Sequence, residues 1–426
     1  MANNFDSNFT RKLARVFLAG FNSKRIMSKN VDTQLLKGKF NPASGANVDF
    51  KRPTDYVSVR TSDGDVSGET ESPITTGKAT GTVQDYFTAF VDYDEADEAI
   101  KMDQLEELLD PMSTRICTDL ELDFAAFMAK NAGLYAGTIG TAADAWGDVA
   151  NAGALMEAHG IPMDAPWYYS INPFTQAALS ENQRSLGAGG SAGSLVKTAH
   201  QKATIVENYA GFDRVMTATT LASYTTDSEA DRVGALASDP TVTYVGAKDT
   251  MTQTLAVSGF GADLEIRAGE VIQITGRNRL NLSTRQTILN AAGAVIVFTG
   301  TVTTAVTLSG TGTGNIVITG PAIYEAAGAY NTADSAPVTG DVVTVLGAAS
   351  TIYQPNLFWN KNAFSIGSVP IKRLHSTDTF ATTKDGIQFR VSKGSGFLEN
   401  TNQVRIDLRP AYAVLNPFFA GLGYGS

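Results

Sequence analysis

Hydrophobic residues follow a helical period most clearly after Asp110 and Pro111, which suit an N-cap and a first helical position. This spacing predicts a helix over residues 111–131 with one continuous apolar face. At 1.5 Å per residue, a helix of roughly 20 residues is about 30 Å long. The apolar positions recur every three or four residues, at Met112, Ile116, Leu120, Phe124, Phe127 and Met128.

Alternating polar and apolar residues before this helix predict a long hairpin over residues 48–93. Residues 48–60 alternate like a strand that Pro53 interrupts, and residues 81–93 predict the returning strand. The intervening residues 61–77 are polar and rich in turn formers, which predicts a flexible tip. The predicted hairpin and the predicted helix are both longer than the core of a compact domain requires. The pattern therefore favours a protein that holds its neighbours over one that encloses a substrate.

Helical periodicity nearly disappears between residues 223 and 349. Short runs rich in Thr, Val, Gly and Ala are separated there by glycine-rich turns, which predicts a small sandwich or closed barrel. An all-β module thus interrupts an α/β domain. Within it we expect strands at 241–245, 271–275, 294–298, 302–308, 316–319 and 342–346. Around it we expect helices at 144–159, from 173 onward and at 195–203, with strands at 167–171, 208–217, 387–391 and 404–408.

Composition limits the class of protein. With 426 residues, 43% of them hydrophobic, the chain is long enough for two or three globular domains. It has no run of about 18 apolar residues, so no membrane span is expected. The first residues lack the apolar stretch of a signal peptide. The single cysteine, Cys117, cannot form an internal disulfide.

Charge is distributed unevenly along the chain. The formal net charge of −10 argues against nucleic-acid binding by the whole surface. Residues 1–39 are nevertheless basic, and residues 9–21 have the pattern of a short helix. A basic arm on an acidic body predicts an interaction segment, and the alternative is the solvated face of an amphipathic helix. The candidate contact residues are Arg11, Lys12, Arg15, Lys24 and Arg25.

Patterns typical of catalysis or metal binding are weak. Residues 189–193 match G-x-S-x-G around Ser191, but they lie in a glycine-rich run that favours a linker over a nucleophile turn. His159, His200 and His375 lie far apart without zinc-ligand spacing. The acidic run at 92–98 lacks the glycine and terminal glutamate of a calcium loop. We therefore predict no catalytic residue, no cofactor, no metal and no enzymatic activity.

Distinctive short sequences follow one another along the chain: Gln34-Leu-Leu-Lys-Gly, Phe50-Lys-Arg-Pro, Arg60-Thr-Ser-Asp-Gly-Asp-Val-Ser-Gly, Glu98-Ala-Ile-Lys-Met-Asp-Gln-Leu-Glu-Glu, Gln354-Pro-Asn-Leu-Phe-Trp-Asn-Lys and Arg409-Pro-Ala-Tyr. In this order, with the β insertion between the fourth and fifth, the chain resembles the major capsid (coat) proteins of short-tailed double-stranded DNA phages of the Salmonella-phage type. The resemblance implies the α+β capsid fold of tailed phages and herpesviruses (the Johnson fold). It also implies a division into an N-terminal arm (1–47), an extended hairpin loop (48–93), a spine helix with the first part of the peripheral and axial core (94–222), an inserted β-barrel domain (223–349) and a return to the core (350–426).

The resemblance further implies a shell made of many copies of the chain, as pentamers and hexamers. The shell would form in the host cytoplasm with a scaffolding protein and a portal protein, and would enclose double-stranded DNA without sequence-specific binding or membrane contact. The alternatives are a β-rich adhesin or carbohydrate-binding protein, weakened by the few aromatic residues of the insertion, and a hydrolase using Ser191. We expect charge contacts between subunits at the hairpin residues Arg52, Arg60, Asp63, Asp65, Glu69, Glu71 and Lys78; the alternative is that these are exposed residues of a mobile loop.

Overall fold

The computed structural model describes residues 5–36, 45–52, 55–69, 74–94, 105–185, 193–326, 328–375, 378–396 and 401–426. Short 3-10 turns lie at Gln34–Leu36 and Pro417–Phe419. None of the helices in these ranges is both long enough and apolar enough to cross a membrane. Six helices lie in them: α1 (Phe5–Lys24), α2 (Leu105–Lys130), α3 (Trp146–Ala158), α4 (Pro173–Ser185), α5 (Gly193–Lys202) and α6 (Tyr244–Ala247).

The strands are short and are spread along the whole chain. They are β1 (Asn47–Lys51), β2 (Lys78–Val83), β3 (Phe87–Asp94), β4 (Leu134–Ala136), β5 (Trp167–Ile171), β6 (Arg214–Thr217), β7 (Tyr224–Thr225), β8 (Val233–Leu236), β9 (Thr252–Ser258), β10 (Glu265–Ile266), β11 (Val271–Asn278), β12 (Val297–Val302), β13 (Val306–Thr307), β14 (Gly314–Thr319), β15 (Val342–Val345), β16 (Ile352–Tyr353), β17 (Asn356–Asn360), β18 (Phe364–Ser368), β19 (Thr379–Thr382), β20 (Gln388–Gly396), β21 (Thr401–Leu408), β22 (Pro410–Val414) and β23 (Ala420–Gly423).

The chain forms two compact units. The first consists of Met1–Asp49, Thr80–Ala125 and Phe364–Val414, and the second of Phe50–Ala79, Ala126–Ala363 and Leu415–Ser426. Each unit is therefore assembled from segments that are distant in the sequence. The inserted module lies entirely within the second unit.

Helix α1 is an amphipathic helix packed into the first unit. Its apolar face buries Leu13, Phe17 and Phe21, and the Phe21 ring lies 5.9 Å from that of Phe389 on β20. Strand β20 belongs to the four-stranded sheet β19-β20-β21-β3, and a second four-stranded sheet has the order β1-β2-β22-β18. The N-terminal helix predicted over 9–21 is present and is longer than predicted.

Helix α2 confirms the predicted apolar face but begins earlier than expected. Ile116, Leu120, Phe124 and Met128 are buried along one side. The predicted start at Pro111 is wrong, because the helix already begins at Leu105 and contains Pro111. Proline is normally costly inside a helix because it lacks an N–H and its ring crowds the preceding turn. Proline is therefore expected at the start of a helix, which is why the sequence pattern placed the start at Pro111.

The second unit has a five-stranded sheet in the order β4-β23-β17-β5-β6. Strand β23 pairs in parallel with β4 and antiparallel with β17, so strands from opposite ends of the unit lie side by side. Trp167, Tyr169 and Phe358 form its buried aromatic core together with residues of α3. Helix α4 starts as predicted, because the Asn172 side chain accepts a hydrogen bond from the Thr175 backbone N–H at 2.7 Å.

The inserted module is a closed barrel with the strand order β11-β12-β14-β9-β8-β15. Leu255, Ile272, Phe298, Ile316 and Val343 fill its interior and are fully buried. The barrel predicted between residues 223 and 349 is confirmed. One predicted strand, 241–245, is wrong: the chain turns into α6 there, where the Thr243 hydroxyl accepts a bond from the Gly246 N–H.

Five further strand predictions differ from the structure: of 294–298 only the end belongs to β12, and 302–308 is divided between the end of β12 and the short β13. Residues 56–60 form no strand, and residues 81–93 form two strands, β2 and β3, that pair with different partners. Of 208–217, only β6 at the end is a strand. In each case the alternating residue types are those of a strand. Whether a strand forms there depends on pairing with segments that are distant in the sequence. Ser191 lies outside the described residues.

Candidate assembly surfaces

The described chain between β1 and β2 exposes several large apolar side chains. We call residues 52–77 the extended loop. Its described parts contain neither helix nor strand. Tyr56, Val59, Val66 and Ile74 are 56%, 43%, 59% and 77% exposed. Several exposed apolar side chains on one segment are typical of a contact with another molecule.

Charged side chains of the extended loop lie beside these apolar residues. Arg60, Asp63, Asp65 and Glu69 are all exposed. Two of them order the tip locally: the Asp63 carboxylate accepts the Asp65 N–H at 3.1 Å, and the Asp65 carboxylate accepts the Ser67 N–H at 2.9 Å. The bond from the Ser67 backbone lowers the pKa of Asp65 below its usual value. Both effects keep a charged, turned tip at neutral pH.

The other hairpin residues occupy different surroundings. Lys78 is exposed at the start of β2, and Glu71 lies outside the described residues. Arg52 is buried and donates to the Leu415 carbonyl at 2.9 Å and to the Lys248 carbonyl at 3.0 Å, so its guanidinium is engaged within its own subunit. Burial lowers the pKa of Arg52 to about 10. The two-residue period of a strand could have predicted the burial of Arg52, because it places Arg52 on the same face as buried Phe50.

The basic residues near the N-terminus also divide into two groups. Arg11, Lys12 and Arg15 lie on the exposed side of α1, and exposed Lys24 donates to the Thr114 hydroxyl. Arg25 is instead buried, forms an ion pair with Asp385 at 2.7 Å and donates to Ser28. Arg11, Lys12 and Arg15 form a basic stripe on a helix whose other face is packed, whereas Lys24, nine residues after Arg15, lies on the opposite side of the helix. The two predictions for this segment are compatible, because an amphipathic helix with one packed face can present basic residues to a partner on its other face.

Two features were missed by the sequence patterns. Glu121 on α2 is buried and accepts the backbone N–H groups of Met27 at 2.7 Å and of Ser28 at 3.1 Å, which fixes the chain after α1. Phe90 on β3 and Phe174 on α4 are 78% and 86% exposed, and the sequence patterns singled out neither of them. Such exposed aromatic rings are typical of protein interfaces.

The candidate chemistry finds no geometric support in the described part of the chain. No group of His, Cys, Asp and Glu residues there could hold a metal ion. Cys117 is buried, and desolvation raises the pKa of its thiol to about 12, which leaves it unreactive at neutral pH.

Comparison with known proteins gives one family. A family model described as P22 coat protein, gene protein 5, matches residues 1–425. The major capsid protein of Acyrthosiphon pisum secondary endosymbiont phage 1 is 34% identical over 431 residues, covering 100% of both chains. Among solved structures, a chain of Mycobacterium phage Che8 is similar with a TM-score of 0.45 and 11% identity, covering 93% of this chain and 90% of that one. A chain of the capsid of Cyanophage P-SCSP1u has a TM-score of 0.42 and 12% identity, covering 90% and 84%. On the full-length family and sequence matches, this chain belongs to the P22 coat protein family and is a phage major capsid protein, a structural component of the virion shell and not an enzyme.

Proposed function

We propose that pentamers and hexamers of this coat protein form a closed icosahedral shell around double-stranded DNA, together with a scaffolding protein and a portal protein. The observation that carries this proposal is the extended loop, which exposes apolar and charged side chains together along an irregular segment. A closed shell requires each subunit to present complementary patches to several neighbours. The loop has the composition of such a patch.

The exposed charges of the extended loop and its return are the proposed contacts between subunits. They are Arg60, Asp63, Asp65, Glu69 and Lys78, with Glu71 between them in the sequence. Apolar residues next to charges suit an interface in which apolar burial supplies affinity and charge supplies orientation. Arg52 supports the base of the loop from within the subunit.

The basic stripe of α1 is the proposed docking site of the scaffolding protein. Arg11, Lys12 and Arg15 lie together on an exposed helix side, and Lys24 is exposed at the C-terminal end of the helix, on a chain whose net charge is −10. A concentrated positive patch on an acidic protein selects an acidic partner and accelerates its binding at low salt. We further propose that assembly with the scaffolding protein takes place in the host cytoplasm.

The acidic balance of the chain also fits the enclosure of DNA. A negative inner wall repels the phosphate backbone and leaves the packaged molecule mobile. We therefore expect no sequence-specific and no strong salt-sensitive binding of DNA by assembled shells. A filter-binding titration over a range of salt concentrations measures this. A steep loss of binding with added salt would contradict a repelling wall.

Electron microscopy of the purified protein tests the central proposal. The chain is produced alone and together with its scaffolding partner. We expect closed shells of uniform size with the partner, and polymorphic shells without it. A small monodisperse species under both conditions would overturn the proposal.

A further inference from the structure

The inserted barrel module holds the outgoing leg of the extended loop. The Asp55 backbone N–H donates to the Tyr330 hydroxyl at 2.5 Å, and the Asp55 carboxylate forms an ion pair with Arg285. Arg285 also donates to the Asn331 carbonyl at 2.8 Å, next to Tyr330. One residue of the loop is thus bound through both its backbone and its side chain to a single region of the insertion.

The same region holds the returning leg. The Tyr330 hydroxyl donates to the Thr75 carbonyl at 3.4 Å, and the Lys248 ammonium donates to the Thr76 carbonyl at 3.4 Å. The Lys78 N–H donates to the Asp249 carboxylate at 3.2 Å. The Tyr330 hydroxyl therefore bonds to both legs, accepting from Asp55 on one leg and donating to Thr75 on the other.

These groups lie on a well-packed base. The rings of Tyr244 and Tyr330 stack with their centroids 3.6 Å apart and their planes 5° from parallel. Tyr244 is buried in α6 and packs in a cluster with Met251 and Ile323. Stacked aromatic rings in a packed cluster have few alternative rotamers, so the Tyr330 hydroxyl is held in place.

The two legs are also joined to each other at the base. The Arg52 N–H donates to the Gly77 carbonyl at 2.9 Å, while the Arg52 side chain reaches the Lys248 carbonyl. Gly77 passes so close to the insertion that a Cβ atom would lie 2.4 Å from the Lys248 carbonyl oxygen. The position thus requires glycine for its close approach.

We propose that Tyr244, Lys248 and Tyr330 form a loop clamp, through which the inserted module fixes the orientation of the extended loop. The insertion then positions the segment that contacts neighbours, in addition to being a folded module of its own. The consequence for shell geometry rests on the proposed function, whereas the clamp itself is a property of a single subunit.

Substitution of Gly77 tests the clamp on the unassembled full-length chain. Gly77→Ala places a methyl group against the Lys248 carbonyl, while Gly68→Ala, in the same loop, has no atom within 4 Å of the added carbon. Amide hydrogen exchange is measured for both variants. We expect exchange at Arg52 and Asp55 to be about tenfold faster in Gly77→Ala, as for a loss of about 1.4 kcal/mol of local stability. Exchange in strands β9 and β14 should stay unchanged, and Gly68→Ala should match the unmodified chain.

Equal exchange at Arg52 and Asp55 in the two glycine variants would overturn the clamp. So would faster exchange spread through the barrel strands, because it would show that Gly77 supports the fold of the insertion and not the loop. Neither result depends on whether shells form. Failure of the proposed function is recognised separately, by the absence of shells from the unmodified chain.

Substitution of Tyr330 tests the consequence for the shell. Tyr330→Phe keeps the stacked ring but removes the hydroxyl that binds both legs. Tyr324→Phe is the control, because that hydroxyl has no hydrogen bond within the described residues. With the scaffolding partner present, we expect several-fold more aberrant particles in micrographs of Tyr330→Phe than of Tyr324→Phe. Equal particle distributions would refute a role of the clamp in shell geometry.

Discussion

His159 follows the end of α3 and is completely buried, with its ring 5.7 Å from that of Phe418. Neither ring nitrogen has a hydrogen-bond partner among the described residues. Burial, followed by the positive charges of Arg279 and Arg285, holds the pKa of His159 well below its usual 6.5. The imidazole is therefore neutral in the folded protein at pH values where an exposed histidine would bind a proton.

The pH dependence of stability follows from this neutral histidine. Below pH 6.5 the unfolded chain binds a proton at His159 that the folded chain does not, so the free energy of unfolding falls as the pH falls. We expect His159→Leu to lose about 1 kcal/mol less than the unmodified chain between pH 7 and pH 5.5. Urea unfolding at the two pH values measures the difference. The exposed His200 provides the control His200→Leu, which should behave like the unmodified chain; equal pH dependence in His159→Leu would refute the assignment.

A second residue-level prediction concerns the buried Asp407 on β21. Its carboxylate accepts from Arg390 at 3.1 Å, from Arg405 at 2.6 Å and from the Thr88 hydroxyl at 2.7 Å. Asp407→Asn leaves the buried Arg390 guanidinium without its counter-charge, which costs about 3–5 kcal/mol of unfolding free energy. Urea unfolding measures the loss.

The matched control is the exposed ion pair between Glu181 and Arg184 on α4. Glu181→Gln removes the same kind of charge from a solvated site, so we expect no measurable change in the urea midpoint. A small effect of Asp407→Asn, similar to that of Glu181→Gln, would mean that the first unit does not depend on this ion pair.

At the level of the element, the turn at residues 308–313 between β13 and β14 contains two glycines with different surroundings. Gly312 has a φ of +66°, and a Cβ there would lie 1.9 Å from the Phe260 carbonyl oxygen. Gly310, two residues earlier, has its nearest neighbour at 3.8 Å from the added carbon. We expect Gly312→Ala to lower the unfolding free energy by at least about 2 kcal/mol, and Gly310→Ala by much less. Thermal unfolding of both variants decides the matter; equal losses would contradict the geometry of this turn.

The same scale shows what the sequence could and could not predict. The apolar face of α2 and the cap at Asn172 were predictable because they depend on residues one or two turns apart. The barrel was predictable from repeated short runs with glycine turns. The lack of a strand at 56–60 was not, because a strand needs a partner and nothing in the local sequence shows whether one is near. The start of α2 was misjudged because Pro111 is also accommodated inside the helix.

The whole molecule depends on contacts that no local pattern contains. Charge alone could not separate Arg60 from Arg52, or Arg15 from Arg25, since one of each pair is exposed and the other is bound within its own subunit. Burial is a property of the folded chain. The sequence therefore predicts that charged residues of the extended loop and of the N-terminal segment form contact surfaces. The structure shows which of these residues are exposed.

Arg60→Glu tests the exposed loop at this scale. Reversing the charge places a carboxylate where a neighbouring subunit is expected to offer one, so we expect at least a tenfold lower yield of shells, with the unfolding midpoint of the single chain unchanged. Sedimentation and electron microscopy measure the yield. Arg60→Lys retains the charge and should assemble normally. Normal shells from Arg60→Glu would remove Arg60 from the interface.

Strand β23 lies between β4 and β17 in the five-stranded sheet, although it comes last among the described strands. During synthesis the barrel strands, which all lie between residues 233 and 345, leave the ribosome before β23 does. Strand β4 cannot yet join β17 in the sheet, because β23, which lies between them, has not been translated. A growing chain therefore lacks the complete five-stranded sheet until residues 420–423 have emerged. We expect this order of synthesis to keep unfinished chains out of a growing shell.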